Sequence, residues 1–427
     1  MSQGHCQNPA HYSRRTLLKA MGASGLAWLT PLSQILAASA ERKRKPARSV
    51  IILWMAGGPS QLETFDPHPN SPNGTGAIPT SVKGVQLGKG LIQTAGVMED
   101  ISIIRSVTSK EGDHERASYN VKTGYRPNPT VIHPSIGAIL CHQLPNPAIE
   151  IPTHVSILPN QWPARGGYLG ASYDAFQVGD PTKPVPDVTS LEGHDRRERR
   201  LAGLSVVEQQ FARGRLQDLE TNKTLHRSTI DKALKMMGSD QLKAFDVHEA
   251  PEAERLAYGD TPFGRGCLAA RRLIETGVRC VEVTLSGWDT HVNNHEQQAE
   301  RISILDPAFA TLIKDLKARN LLEDTVVLCG GEFGRTPKVN ALDGRDHWPH
   351  GFSMAVAGGG FKGGQVLGET DPKGESEEPA HPVRVEDLHA TVQHLHGIDH
   401  EKEIMTHVGR PIALSEGEVL KELLKPA

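Results

Sequence analysis

Ser49-Val50-Ile51-Ile52-Leu53-Trp54-Met55 is an unbroken apolar run that stops at Ala56-Gly57-Gly58-Pro59-Ser60. A half-exposed strand alternates apolar and polar side chains. A run without alternation predicts a strand covered on both faces, the condition of a central parallel strand. Runs of the same kind recur at Ile101–Val107, Val155–Leu158, Arg279–Leu285, Thr325–Cys329 and Ser353–Ala357. Between them lie helical patterns of crossover length. They cover Glu115–Lys122, Ile132–Leu144 starting after Pro134, Gly266–Glu275, Glu296–Arg319 and Glu386–His396. In the fourth of these, Leu305, Phe309, Leu312 and Leu316 share one face. The 40 residues after the first run are rich in Gly, Pro, Asn and Thr and read as a long loop. Leu201–Phe245 is polar and helical and reads as an insertion at about 190–260. Alternating strand and helix predict an α/β domain over 49–427, a mainly parallel sheet with helices on both faces. Ligands bind such sheets at the carboxyl ends of the strands.

The N-terminus reads as an export signal. Residues 1–40 hold Arg14, Arg15 and Lys19 and no acid, then a weakly apolar stretch from Ala20 to Ala37, then Ala38-Ser39-Ala40. A paired arginine, an apolar region containing glycine and a small-residue cleavage site suggest the twin-arginine machinery as an export partner, with cleavage before Glu41. A membrane anchor is the alternative, weakened by Gly22, Gly25, Pro31 and Gln34. The basic segment 41–48 would follow as a linker. The expected location is therefore periplasmic or extracytoplasmic, with no stable membrane span after cleavage. Across all 427 residues, 37% hydrophobic content and a net charge of −3 exclude a disordered polymer, a multi-span membrane protein and a typical nucleic-acid binder. Cys141, Cys267, Cys280 and Cys329 remain in the exported part without C-x-x-C spacing. Buried free thiols are the simpler reading; a disulfide stays open.

Twenty histidines prompt a search for clusters. Acids and imidazoles do gather at the expected strand ends. Glu63 and Asp66 follow the first strand, and Asp113-His114 the second. Asp289, His291 and His295 follow the strand at Arg279–Leu285, and Glu332 and Arg335 the next. Asp346, His347 and His350 precede the last. Mixed carboxylate and imidazole donors suit zinc or manganese. Each has a plainer role open to it. Asp113 sits where a helix N-cap belongs, and Asp66 precedes Pro67 in a turn. Arg116, Arg126 and Arg335 offer bidentate clamps for an anion.

The order of these segments resembles the alkaline phosphatase and sulfatase superfamily across nearly the whole exported chain. More closely, it is similar to a bacterial family of exported proteins carrying a domain of unknown function, number 1501. The resemblance lies in Leu312 to Arg335, ending in Gly331-Glu332-Phe333-Gly334, in His347 through Gly359, and in the closing helix Val385 to Ile398. It implies an alkaline phosphatase-like fold and two divalent metal ions flanking a Ser, Thr or modified Cys nucleophile. Asp289 then fits the acid opening the first metal site and His347 its closing histidine. Asn293 stands where that site has a second histidine, so His291 or His295 would substitute. Glu332 fits the acid of the second site, with Phe333 in place of its histidine. His114 stands at the nucleophile position, after Asp113. Gly57 or Gly58 occupies the place of a first-strand aspartate, for which Glu63 or Asp66 would stand in. No Cys-x-Pro-x-Arg run of the formylglycine sulfatases is present.

Two functions follow as expectations. One is an exported hydrolase of phosphate or sulfate esters, acting on a small-molecule or glycan anion. Its zinc, or else manganese, calcium or magnesium, is held by Asp66, Asp113, Asp289, His291, His295, Glu332, Asp346, His347 and His350. His114 and Arg116 are its catalytic candidates. The other is a catalytically degenerate relative that binds a metal or an anionic glycan without turnover.

Overall fold

The computed structural model describes residues 46–186, 188, 193–212 and 225–426. The signal and most of the basic linker lie outside these residues, as does part of the helical insertion. Residues 46–425 form one compact unit.

Nine strands make the main sheet. They are β1 (Ser49–Ala56), β2 (Ile101–Thr108), β3 (His154–Ile157), β4 (Phe176–Val178), β5 (Cys280–Ser286), β6 (Thr325–Gly330), β7 (Phe352–Gly358), β8 (Val366–Leu367) and β9 (Val383–Arg384). Their spatial order is β8-β2-β7-β6-β1-β5-β3-β4, with β9 also pairing β2. β1 lies parallel to both β5 and β6, and β3 parallel to β4 and β5. β7 alone runs antiparallel, between β2 and β6.

β1 explains why its sequence lacks alternation. Ile51, Leu53 and Met55 enter one core, and Val50 and Trp54 the other. Helices α5 (Pro262–Thr276) and α6 (Asn294–Ala318) cover the first face. The second is covered by α2 (Ile136–Gln143), α7 (Val385–Leu395) and the Val121 side of α1 (His114–Thr123). Two further helices, α3 (His194–Ala212) and α4 (Leu225–Met237), belong to the insertion.

Register aligns the chemistry. Ala56 of β1 pairs with Ser286 of β5, and Trp54 with Gly330 of β6, so the three strands end on one rim, β6 two residues earlier than the others. Because β7 is reversed, Phe352 at its start pairs with Val107 at the end of β2. The segment before β7 therefore reaches the same rim as the segments after its neighbours.

The structure corrects several expectations. The long loop contains short strands at Ala77–Pro79 and Gln86–Gly88 and a helical turn at Ile92–Ala95. Helix α2 starts at Ile136, capped by Ser135, because Pro134 holds the preceding residues extended. At the end of the linker, Ala47 is buried and its N–H donates to Leu395 O at 2.8 Å, so the fold begins before β1. As expected, the four cysteines among the described residues are buried and free. No helix among the described residues is long and apolar enough to cross a membrane.

Candidate metal centre

Helix α1 delivers His114. Its N-cap is Asp113, whose carboxylate accepts from the N–H of Glu115 and Arg116 at 3.1 Å. That bond fixes His114 as the first helical residue, at the rim. Asp289 comes from the turn after β5. Here Gly57 has φ +117°, and a Cβ on it would lie 2.5 Å from the Asp289 nitrogen, so only glycine permits this approach. His291 follows Asp289, and His347 arrives on the two-residue bridge that pairs with Gly334–Arg335 ahead of β7.

These four side chains converge. One donor atom each from His114, Asp289 and His347 lie within 4.8 Å of one another. His114 Nε2 is 3.3 Å from Asp289 Oδ2. The Nε2 atoms of His291 and His347 lie 3.1 and 3.4 Å from Asp289 Oδ1, and 3.1 Å from each other.

Each imidazole is oriented from behind through Nδ1. His347 Nδ1 donates to the carbonyl of Gly112 at 2.7 Å, a partner that can only accept. His291 Nδ1 lies 2.9 Å from Asp346 Oδ1, and His114 Nδ1 2.8 Å from Glu332 Oε1. Glu332 is fully buried and also accepts from Gly57 N–H at 2.9 Å. A ring that spends its Nδ1–H in this way presents Nε2 as a bare donor atom, the arrangement found behind metal-bound histidines.

Burial alone would lower the His114 pKa, but the carboxylates of Asp289 and Glu332 outweigh it and raise it to about 9. In the chain without metal the same carboxylates favour a proton on His114 Nε2, which a bound cation would displace. Burial would raise Asp289; His114, His347 and Arg335 hold its carboxyl well below the usual range instead. Hydrogen bonding from His291 lowers Asp346. Arg335 is fully buried, donates to Gly58 O at 2.9 Å and also bonds Gly57 O, and reaches Asp289 Oδ1 at 2.6 Å. It anchors one Asp289 oxygen and leaves the other to His114.

The donors fit a metal ion. One donor atom each from His114, Asp289 and His347 lies within 4.8 Å of the other two, and His291 Nε2 stands 3.1 Å from Asp289 Oδ1 and from His347 Nε2, a spread that a tetrahedral ion, whose ligands stand roughly 3.3–3.4 Å apart, would draw together. Two bare Nε2 atoms at 3.1 Å repel unless a proton or cation lies between them. His114 Nε2 is buried and has no aligned hydrogen-bond partner. Phe333 and Trp162 flank His114, with ring centroids at 4.9 and 5.9 Å.

The remaining candidates lie elsewhere or play another part. Glu332 and Asp346 orient imidazoles, and Asp113 caps a helix. Asp66 is buried against Thr370, accepting from its N–H and hydroxyl at 3.0 and 2.7 Å, with Arg105 beside it. His295 pairs with Glu63 at 2.9 Å. His350 lies 3.6 Å from Glu377 and lines a separate cleft of about 800 Å³. Arg116 spans both oxygens of Glu111 at 2.6 and 3.1 Å, and Arg126 binds the same carboxylate. The Gly112 carbonyl and the Trp162 wall went unread in the sequence. A backbone acceptor leaves no residue signal, and Trp162 is distant in sequence from every cluster.

A family model described as "Protein of unknown function (DUF1501)" matches residues 47–424. No curated protein matches the chain. Solved structures similar to it include the following three. The lipoteichoic acid synthase LtaP from Listeria monocytogenes is 10% identical, with 87% of this chain and 75% of that one covered and a TM-score of 0.37. The PsFucS1 sulfatase from Pseudoalteromonas sp. is 15% identical, with 86% and 70% covered and a TM-score of 0.39. The alkaline phosphatase from the Antarctic bacterium TAB5 is 14% identical, with 83% and 99% covered and a TM-score of 0.38.

Proposed function

We propose, from the premise that this chain belongs to the DUF1501 family of proteins of unknown function, that it is an exported metal-dependent hydrolase of phosphate or sulfate esters. The observation that carries the reading is the convergence of three Nδ1-anchored imidazoles on the Asp289 carboxylate. His114, Asp289, His291 and His347 would hold one divalent ion. A nitrogen-rich set of this size suits zinc, ahead of manganese and well ahead of calcium or magnesium. Such an ion supplies a Lewis acid for the ester oxygens and a source of nucleophile at neutral pH.

The chain's own residues do the rest. Glu332, Asp346 and the Gly112 carbonyl keep the rings turned inward. Arg335 restrains Asp289. Phe333 and Trp162 shield one flank of His114 from water. His114 occupies the nucleophile position of the resemblance, yet Glu332 and Asp289 flank its two nitrogens, so the attacking oxygen comes from solvent. The choice of ester rests on the segments around Asp289 and His347 that resemble the phosphatase and sulfatase superfamily. Residues 1–40 support export by the twin-arginine route to the periplasm.

A second reading, metal or anionic-glycan binding without turnover, is favoured by one observation. Only one convergent donor set stands among the described residues. The test is turnover of a panel of phosphate and sulfate esters by zinc-loaded and chelated protein, with Asp289→Asn as control. Zinc-dependent turnover lost in Asp289→Asn supports hydrolysis. Tight zinc binding with no product from any ester sinks hydrolysis and leaves the binding reading.

A further inference from the structure

Below the metal centre lies a buried ion pair that the proposed chemistry does not use. Lys122 sits near the end of α1, about 12 Å of helical rise from His114. Its Nζ donates to Glu282 Oε1 and to the backbone carbonyl of Trp162, both at 2.9 Å. It also stands 4.8 Å over the ring of Trp54. Ser156 Oγ donates to the same Glu282 oxygen at 3.2 Å. The two charged side chains are 7% and 2% exposed.

Each partner belongs to a segment that ends in the site. Lys122 shares α1 with His114. Glu282 lies in β5, the strand that delivers Asp289. Trp54 lies in β1, which delivers Gly57 and its bond to Glu332. Trp162 carries the indole stacked on His114. One ammonium group therefore ties together the segments whose relative placement defines the metal centre.

Stability does not account for this pair. Desolvating two charges offsets most of their attraction, and apolar replacements of similar volume are often neutral or stabilising. The other directional bonds on this stretch of α1 run to α7 and to the loop before α2 and not to β5: Val121 O accepts from His389 Nε2 at 2.8 Å and Tyr119 Oη from the His133 N–H at 2.7 Å. A cavity of about 40 Å³ adjoins Lys122 and Glu282, lined also by Ile136, His154 and Leu388. Apolar contact alone is non-directional and tolerates a small slide of α1 along the sheet. A charged hydrogen bond with fixed geometry does not.

We infer that Lys122 and Glu282 are positioning residues: their pair sets the register of α1 against β5 and so holds His114 over Asp289 and against Trp162. The inference rests on the metal reading of the rim. Its test is cobalt(II) binding, read by affinity and by the visible absorption of the bound ion, which reports ligand geometry. The variants are Lys122→Met with Glu282→Leu, and Glu282→Gln, which keeps the shape and removes the charge. The double variant should melt no lower than the parent, yet bind cobalt about tenfold more weakly with an altered spectrum, as loss of an outer support does. Glu282→Gln should change the spectrum in the same sense. Folded variants with parental affinity and spectrum would overturn the inference. So would a double variant that fails to fold, because the pair would then serve stability. A parent chain that binds no cobalt would overturn the metal reading itself.

Discussion

Removing Asp346 should loosen the metal centre without unfolding the protein. Asp346 Oδ1 receives His291 Nδ1 at 2.9 Å and Asn340 Nδ2 at 3.3 Å, and its side chain is 57% exposed. In Asp346→Ala the imidazole loses the acceptor that fixes its tautomer and ring angle. Nε2 is then no longer held 3.1 Å from both Asp289 and His347. A hydrogen bond to a charged group contributes about 1.5–3 kcal/mol when buried, and exposure reduces that toward about 1 kcal/mol. Loss of an outer support behind a ligating histidine typically weakens metal binding about 10–100-fold. The exposed setting places this case at the lower end, about tenfold, or roughly 1.4 kcal/mol. Stability of the metal-free chain should change by no more than about 0.5 kcal/mol, as for other surface substitutions. The assay is zinc competition against a chromogenic chelator. His291→Ala sets the loss for the missing ligand, and the double variant should be no weaker than His291→Ala alone. An unchanged affinity in Asp346→Ala, or losses that add in the double variant, would refute the assignment of His291 as a ligand.

Arg116→Ala should leave zinc affinity within about twofold of the parent, since this guanidinium is spent on Glu111 and an exposed pair contributes little; a tenfold loss measured with the same chelator would place it in the site. Cys141, Cys267, Cys280 and Cys329 should resist a thiol reagent until the chain unfolds, and then react together; a thiol labelled in the native protein would contradict their burial. Burial alone would raise Asp180, but Arg265 and Thr182 outweigh it and hold its pKa at about 2, below 3.8. A depressed carboxyl stabilises fully above its unfolded pKa, and that contribution is lost as pH falls toward 2. The gap in urea midpoint between the parent and Arg265→Met should therefore be constant above pH 5 and close between pH 4 and pH 2; a gap independent of pH would refute the link.

Much of the sheet was legible because strands covered on both faces need long apolar runs, as Val50–Met55 shows. Strand direction was not. Apolar periodicity is the same either way along a strand, so the reversal of β7 emerges only from its pairing with Cys329 and Ile103. That reversal explains how His347, ahead of its strand, meets Asp289, behind its own. The two-residue strands β8 and β9 carry too few residues for a pattern. Within the site, residue type identified the ring of acids and histidines but not who touches whom. Glu332 and Asp346 read as ligands because a carboxylate at a strand end can bind metal or an imidazole N–H equally well. Asp66 meets Thr370, a residue far along the chain, and no local spacing could show it.

Everything proposed for this chain depends on the strand-end cluster holding a metal ion. Elemental analysis of the purified folded protein, repeated on His347→Ala, tests it most directly. The folded protein should carry close to one equivalent of a divalent transition metal, zinc foremost, and His347→Ala should lose it while the fold persists. Protein that carries no such metal and takes up none when supplied, or a His347→Ala variant that retains the full equivalent, would contradict it.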